Sequence, residues 1–177
     1  MSGIRRQSVV RGAILASVLI GSVVVAPVRA AGLKTYVNAK HGYSIQYPGA
    51  WHRKPDSQND FVFDAPDGNA EIAGVVFPSQ TKAQLLTLAV NELKSQKAKA
   101  ATIKTGTIMA HGVTFLTASG TIPGNGAQLH EIIQEAEHAK QSYGFVGDWA
   151  LGQSSTPAEQ AEVQAFLQSI TFRSPAK

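Results

Sequence analysis

Two stretches of this chain alternate with a period of two. Tyr43, Ile45 and Tyr47 are set against Ser44 and Gln46, and Tyr143, Phe145, Gly147 and Trp149 fall on one side of the run from Ser142. That period puts successive side chains on opposite faces, so both stretches are strands with one face buried. Nothing covalent can hold such strands together, because the 177 residues include no cysteine. The same absence removes disulfides, thiolate metal sites, a cysteine nucleophile and a thioether lipid anchor. The apolar core must suffice alone. At this length it can, since a domain near 150 residues buries roughly 68–70% of the surface its unfolded chain exposes.

The first 30 residues read as a leader and not as part of that core. Arg5, Arg6 and Arg11 precede an apolar run from Gly12 to Ala26, and Val28-Arg29-Ala30-Ala31 places small residues at the −3 and −1 sites of a cut between Ala30 and Ala31. This is the form of a secretory signal peptide. The run is shorter than the roughly 20 residues a membrane-spanning helix needs. Gln7-Ser8 after the arginine pair lacks the apolar residue of twin-arginine export, so ordinary export is expected. The remaining 31–177 are expected to be one domain, periplasmic or extracellular, with no stable membrane span once the signal is cleaved.

The charge balance follows from the leader. Arg5, Arg6, Arg11 and Arg29 belong to it and no acid does, so the rest of the chain is formally neutral although the whole carries +4. A nucleic-acid binder needs a basic domain for phosphate contacts, and this one is excluded on that ground. The one basic cluster, Lys94, Lys97, Lys99 and Lys104, reads as a solvated helix end.

Further elements follow from local signals. Phe61 to Phe63 and Glu71 to Phe77 form a hairpin across Ala65-Pro66-Asp67-Gly68-Asn69, where Pro, Asp and Gly suit a tight turn. A helix is expected from Thr81 to about Lys97, boxed by Thr81 and Gln84, with Leu86, Val90 and Leu93 as its stripe and Leu85 and Ala89 beside it. Ile103 to Ala110 and Val113 to Ile122 make a second hairpin. A last helix, about 157–169, is capped by Thr156, opened by Pro157 and boxed by Glu159, with Val163, Phe166, Leu167 and Ile170 buried. Thr171 to Arg173 closes the chain as a short edge. The stretch 128–137 stays open: Leu129, Ile132, Ile133 and Ala136 fit a helical stripe, yet the strand after it needs a neighbour.

Gly42-Tyr43-Ser44-Ile45-Gln46-Tyr47-Pro48-Gly49-Ala50-Trp51 resembles the opening strand of the PsbP-like family. The ending is similar too, a striped helix running into Ser169-Ile170-Thr171-Phe172, and the order of elements between agrees. The resemblance covers most of 36–173, and its one sharp motif is ten residues long. It implies an α+β fold, an α/β/α sandwich with a central, mostly antiparallel sheet and helices on both faces. It also implies that 128–137 is a strand pairing back on 142–149 across Glu137 to Lys140. Members of that family include extrinsic photosystem II subunits, Ran-binding proteins and small secreted bacterial proteins. The leader argues against a Ran-type role, and a photosystem role requires a photosynthetic source.

The candidate chemistry is sparse. His41-Gly42 and His111-Gly112 have the form of two-residue turns, and His52 is expected at the surface. His130, Glu131, Glu135, Glu137 and His138 are the only ionisable cluster. His130-Glu131-x-x-Gln134 fails the zinc-protease pattern, which needs histidine at the last position. A looser metal site from His130 and His138 is weighed against a solvated polar sheet face, and the latter is preferred. Asp56, Asp60, Asp64 and Asp67 lack the spacing of a calcium loop. Trp51, Tyr47 and Trp149 read as core or wall. No nucleophile elbow, phosphate loop or dinucleotide fingerprint occurs. The expectation is a non-catalytic exported envelope protein, a binding or accessory module for a protein complex or a small ligand, with no catalytic residues, metal or cofactor. The rivals are a secreted metal-dependent or hydrolytic enzyme and, given a photosynthetic source, an extrinsic photosystem II subunit.

Overall fold

The computed structural model describes residues 32–124, 126–152 and 156–173. The leader and the Ala30-Ala31 junction lie outside the described residues. Chain order runs β1 (Leu33–Asn38), β2 (Tyr43–Pro48), β3 (His52–Lys54), β4 (Phe61–Asp64), β5 (Ala70–Pro78), α1 (Lys82–Ser95), β6 (Lys104–Ala110), β7 (Val113–Pro123), β8 (Gln128–His138), β9 (Gln141–Ala150), α2 (Pro157–Gln168) and β10 (Thr171–Phe172). Seven strands form one antiparallel sheet in the order β3-β4-β5-β9-β8-β7-β6, and β1-β2-β10 form a small second sheet.

The alternation in β9 divides the layers. Tyr143, Phe145, Gly147 and Trp149 face α2 and the small sheet, which bring Val163, Phe166, Leu167, Ile170, Tyr43 and Ile45 into one core. On the opposite face Leu129, Ile133, Ala118 and Ile122 pack against Ala89 and Leu93 of α1. The molecule is thus the expected sandwich, with one helix on each face. The α2 layer also carries the small sheet, sewn to the helix end by Gln46 N–H donating to Ser169 Oγ (2.8 Å).

The stretch 128–137 is strand, β8, paired along its length with β7 and β9. Its turn to β9 places Ala139 and Lys140 at φ of 49° and 63°. Both lack the glycine or asparagine such a turn favours, which is why local signals leave this hairpin hidden. Both capping boxes form as expected, at Thr81/Gln84 and Thr156/Glu159.

Other boundaries differ from expectation. Helix α1 ends at Ser95 because Lys97 takes φ 61° and Ala98 N–H reaches back to the Leu93 carbonyl (2.9 Å), a Schellman closure with lysine where glycine is usual. Its buried line is Leu85, Ala89 and Leu93, so Leu86 and Val90 sit at the margin. Strands β1 and β3 carry no readable alternation, so no local signal marks them. His41 lies in a four-residue loop whose only left-handed residue is Gly42 (φ 69°), so it is not a two-residue turn. His111-Gly112 is one, at φ 49° and 79°.

Candidate functional site

Strand periodicity distributes the ionisable cluster of β8 between two faces. His130, Gln134 and His138 lie on the α2 side, and Glu131 and Glu135 lie on the α1 side. His130 and His138 stand eight residues apart on one extended strand, about 27 Å at the strand rise. One metal ion cannot join them. Each histidine rests on an aromatic ring instead: His130 on Trp149 and His138 on Phe172, both with ring centroids 4.7 Å apart. Burial, and then the nearby Lys104 charge, lower the pKa of His130, which favours its neutral form. Among the described residues no three histidine, cysteine or acidic side chains are grouped so as to hold a metal ion.

The α1 side carries a feature that sequence reading missed. Asp64 is opposite Glu71, Glu71 opposite Asp148, and Asp148 opposite Glu131. Four carboxylates therefore form one row across β4, β5, β9 and β8. Like charges directly opposite repel. Lys54 pairs with Asp64 and lies 3.7 Å from Glu71 at one end, and Gln96 Nε2 donates to Glu131 (3.0 Å) at the other. Asp148 and Glu131 are buried. No spacing along the chain could reveal this row, because its members meet only through strand register.

Beside the Lys54 end lies a cleft of about 540 Å³, lined by Arg53, Lys54, Pro55, Asp56, Ser57, Asn59, Asp60 and Phe61. The β3–β4 loop forms its wall, and local chemistry holds that loop. Asp56 accepts from the amides of Gln58 (2.6 Å) and Asn59 (2.9 Å). Partial burial alone would raise the Asp56 pKa, but these bonds prevail and hold it below the usual range. Asp60 ties the loop to four strands, β1, β2, β3 and β5. Its carbonyl accepts from Tyr36 Oη (3.2 Å) and Arg53 Nη2 (3.3 Å), its carboxylate accepts from Tyr43 Oη (3.2 Å), and its amide donates to Gly74 (2.8 Å). Asn38 Nδ2 in turn donates to Tyr43 Oη (3.3 Å). Burial pushes the Tyr43 phenol well up, so it stays a donor. The Arg53 guanidinium lies 5.3 Å from the centre of the Tyr36 ring, a cation–π contact at the cleft mouth.

The remaining sequence candidates fall mostly in supporting places. Trp51 and Trp149 are buried, and Trp51 Nε1 donates to Glu162 (3.0 Å). Tyr47 stacks on Phe63 at 4.1 Å. His52 and the cluster Lys94, Lys97, Lys99 and Lys104 are exposed, as expected. Glu135 and Glu137, with Lys82, line a smaller cavity of about 250 Å³ at the start of α1.

Asp67 in the β4–β5 turn faces Glu159 in the first turn of α2. Burial and then Asp67 raise the Glu159 carboxyl above its usual value, against the Thr156 hydrogen bonds. Asp67 itself is held low despite burial, by hydrogen bonds from Asn69 and from Glu159. The folded chain thus holds the Glu159 proton more tightly than the unfolded chain. This group's contribution to stability is present in acid and fades as pH rises from 4.5 through the raised value. Asp67→Asn is expected to lower the Glu159 titration midpoint, read from its carboxyl carbon by NMR. An unchanged midpoint would assign the shift to burial alone.

No protein-family model and no curated protein sequence matches the chain. Solved structures do. Cyanobacterial PsbP (CyanoP) from Synechocystis aligns at TM-score 0.60 and 14% identity, over 86% of this chain and 98% of that one. LpqN of Mycobacterium tuberculosis, involved in cell envelope biogenesis, aligns at 0.56 and 12%, over 81% and 91%. The Saccharomyces cerevisiae Ran-binding protein Mog1p aligns at 0.54 and 11%, over 80% and 95%. The chain also spans 50% of a longer Bacteroides thetaiotaomicron protein. At these identities the likeness is one of fold, and the fold of this chain is the one PsbP, LpqN and Mog1p share.

Proposed function

We propose that this chain is a non-catalytic, exported binding module that engages a protein partner at the β3–β4 cleft. The observation that carries the reading is the anchoring of the cleft wall. Asp60 ties the loop to β1, β2, β3 and β5, so the loop presents Arg53, Asp56 and Asn59 in a fixed arrangement. A preorganised, mixed-charge surface costs little conformational entropy on binding. One observation adds support. A neighbour in fold involved in envelope biogenesis suits the leader and the proposed compartment.

The test is mild crosslinking of the tagged protein in its native envelope fraction, read by mass spectrometry, beside an Arg53→Glu variant of unchanged melting temperature. One near-stoichiometric partner, recovered about tenfold less with the variant, is the expected result. Equal recovery by both proteins would move the interface away from the cleft. The cleft volume also falls in the range of small-ligand sites, about 300–1,000 Å³. No partner at all, with melting shifts caused by small molecules, would favour that second reading. Co-purification with a membrane complex and release by moderate salt would favour a docked subunit, such as one on photosystem II in a photosynthetic source.

A further inference from the structure

The two ends of the large sheet are built differently. Strand β3 is three residues long, His52-Arg53-Lys54, and is followed by Pro55. A short, charged strand ending at proline is a guarded edge. Strand β6, at the other end, is seven residues long. It contains no proline, its pairing with β7 runs from Lys104–Ser119 to Ala110–Val113 without a bulge, and its one charge is Lys104 at its first position. Lys104, Thr105, Gly106, Thr107 and Met109 are all exposed, Met109 at 77%.

The hairpin turn determines which backbone groups this edge offers. A two-residue turn at His111-Gly112 makes Ala110 and Val113 a hydrogen-bonded pair, and bonded pairs then alternate along the ladder. The amides of Lys104, Gly106, Ile108 and Ala110 therefore point to β7. Those of Thr105, Thr107 and Met109 point away from the sheet.

We infer that β6 is a self-association edge, on which a second copy of this chain adds its own β6 antiparallel about a twofold axis at Thr107. The sequence is self-complementary in this register. Thr105 pairs with Met109 and Thr107 with Thr107, so each outward-pointing N–H of one copy donates to the outward-pointing carbonyl of its paired residue in the other. On the α2 side Ile108 of each copy lies across Gly106 of the other. Gly106 leaves room for it, since a side chain there would touch only Thr117 Oγ1, at 3.2 Å. Each Lys104 falls opposite Ala110, which separates the two lysines by about 20 Å at the strand rise. An edge with one terminal charge and a small residue facing each larger one suits its own copy without repulsion. A seven-residue pairing is smaller than the roughly 800 Å² per partner of stable complexes, so the dimer is reversible and concentration-dependent. This edge lies at the opposite end of the sheet from the β3–β4 cleft, so the inference stands apart from the proposed function.

Sedimentation of the full chain across a wide concentration range tests it, with Thr107→Lys, Thr107→Glu and their equimolar mixture. Thr107 is exposed and its amide has no partner among the described residues, so both variants are expected to fold, and melting curves check this. The expected result is a reversible dimer, about tenfold weaker in either variant because like charges meet on the axis, and restored as a mixed dimer when the two are combined. A monomer at every concentration overturns the inference. So does a dimer indifferent to Thr107, which includes association through the leader. Weakening by lysine with no recovery in the mixture overturns it as well. Capture of an extended peptide from another protein on β6, without self-association, would assign the edge to a different occupant.

Discussion

Gly147→Ala is expected to destabilise the fold by about 3 kcal/mol. Gly147 sits mid-strand in β9 on the face that receives α2, and a methyl built there would lie 2.4 Å from Val163 Cγ1. Val163 cannot step aside. It is fully buried, and a β-branched side chain in a helix has one strongly preferred rotamer. Leu167 stands 3.5 Å away on the same helix, which leaves no path sideways. The methyl must push α2 off the sheet or strain the strand. Urea unfolding of the variant measures the cost. Val163→Ala in the same chain should recover at least half of the loss, because the two sites couple through this one contact. Wild-type stability in the single variant would mean that α2 does not pack this closely on β9.

Tyr43→Ala is expected to cost about 4 kcal/mol. Tyr43 joins the small sheet to the large one. Its ring is fully buried and meets Phe145 at 5.4 Å, Tyr143 at 5.9 Å, Tyr36 at 6.3 Å and Phe61 at 6.4 Å. Tyr43→Phe keeps the ring and removes the hydroxyl. It should cost about 1–2 kcal/mol, the price of leaving the Asn38 amide and Asp60 carboxylate without their partner. The second variant also bears on the cleft. Without the Tyr43 bond the Asp60 tie is weaker, so amides of residues 55–60 should exchange hydrogen faster while the core strands keep their protection. Equal losses from both variants would mean that the hydroxyl, and not ring packing, joins the sheets.

Much of the fold was legible because its signals are local. A capping box needs two residues three apart, and both boxes are where the sequence placed them. The β4–β5 and β6–β7 hairpins carry glycine at their turns, and β2 and β9 carry their alternation openly. The elements that were missed lack such marks. In β1, Leu33 and Val37 are exposed while Asn38 is buried, the reverse of what polarity suggests. Three residues of β3, all basic, carry no pattern at all. Helix α1 ends at Ser95 because Lys97, two residues on, takes a conformation that glycine usually supplies, so the sequence gives no mark of that end.

The site shows the sharper division. His130 and His138 share a face on a helix and on a strand alike, so the sequence could name the cluster but not its span. Only the extended conformation of β8 moves them about 27 Å apart. Asp64, Glu71, Glu131 and Asp148 are scattered through the chain and form a row only once four strands take their register. The wall of the cleft is held by Asp60, which bonds to groups from four separate strands.

By itself the sequence determined the formal neutrality of residues 31–177, the two boxed helices, the glycine-marked hairpins and, through a family resemblance over most of 36–173, the sandwich. Local pattern left 128–137 open, and the resemblance made it the strand that the structure has. Tertiary structure alone decided that β8 divides its charged residues between two faces, and that an acidic row and an anchored cleft lie side by side. The reason is physical. Caps, turns and periodicity are set by bonds and sterics within a few residues. The strand state of β8 is set by the hydrogen bonds it makes with β7 and β9, which outweigh its own helical pattern.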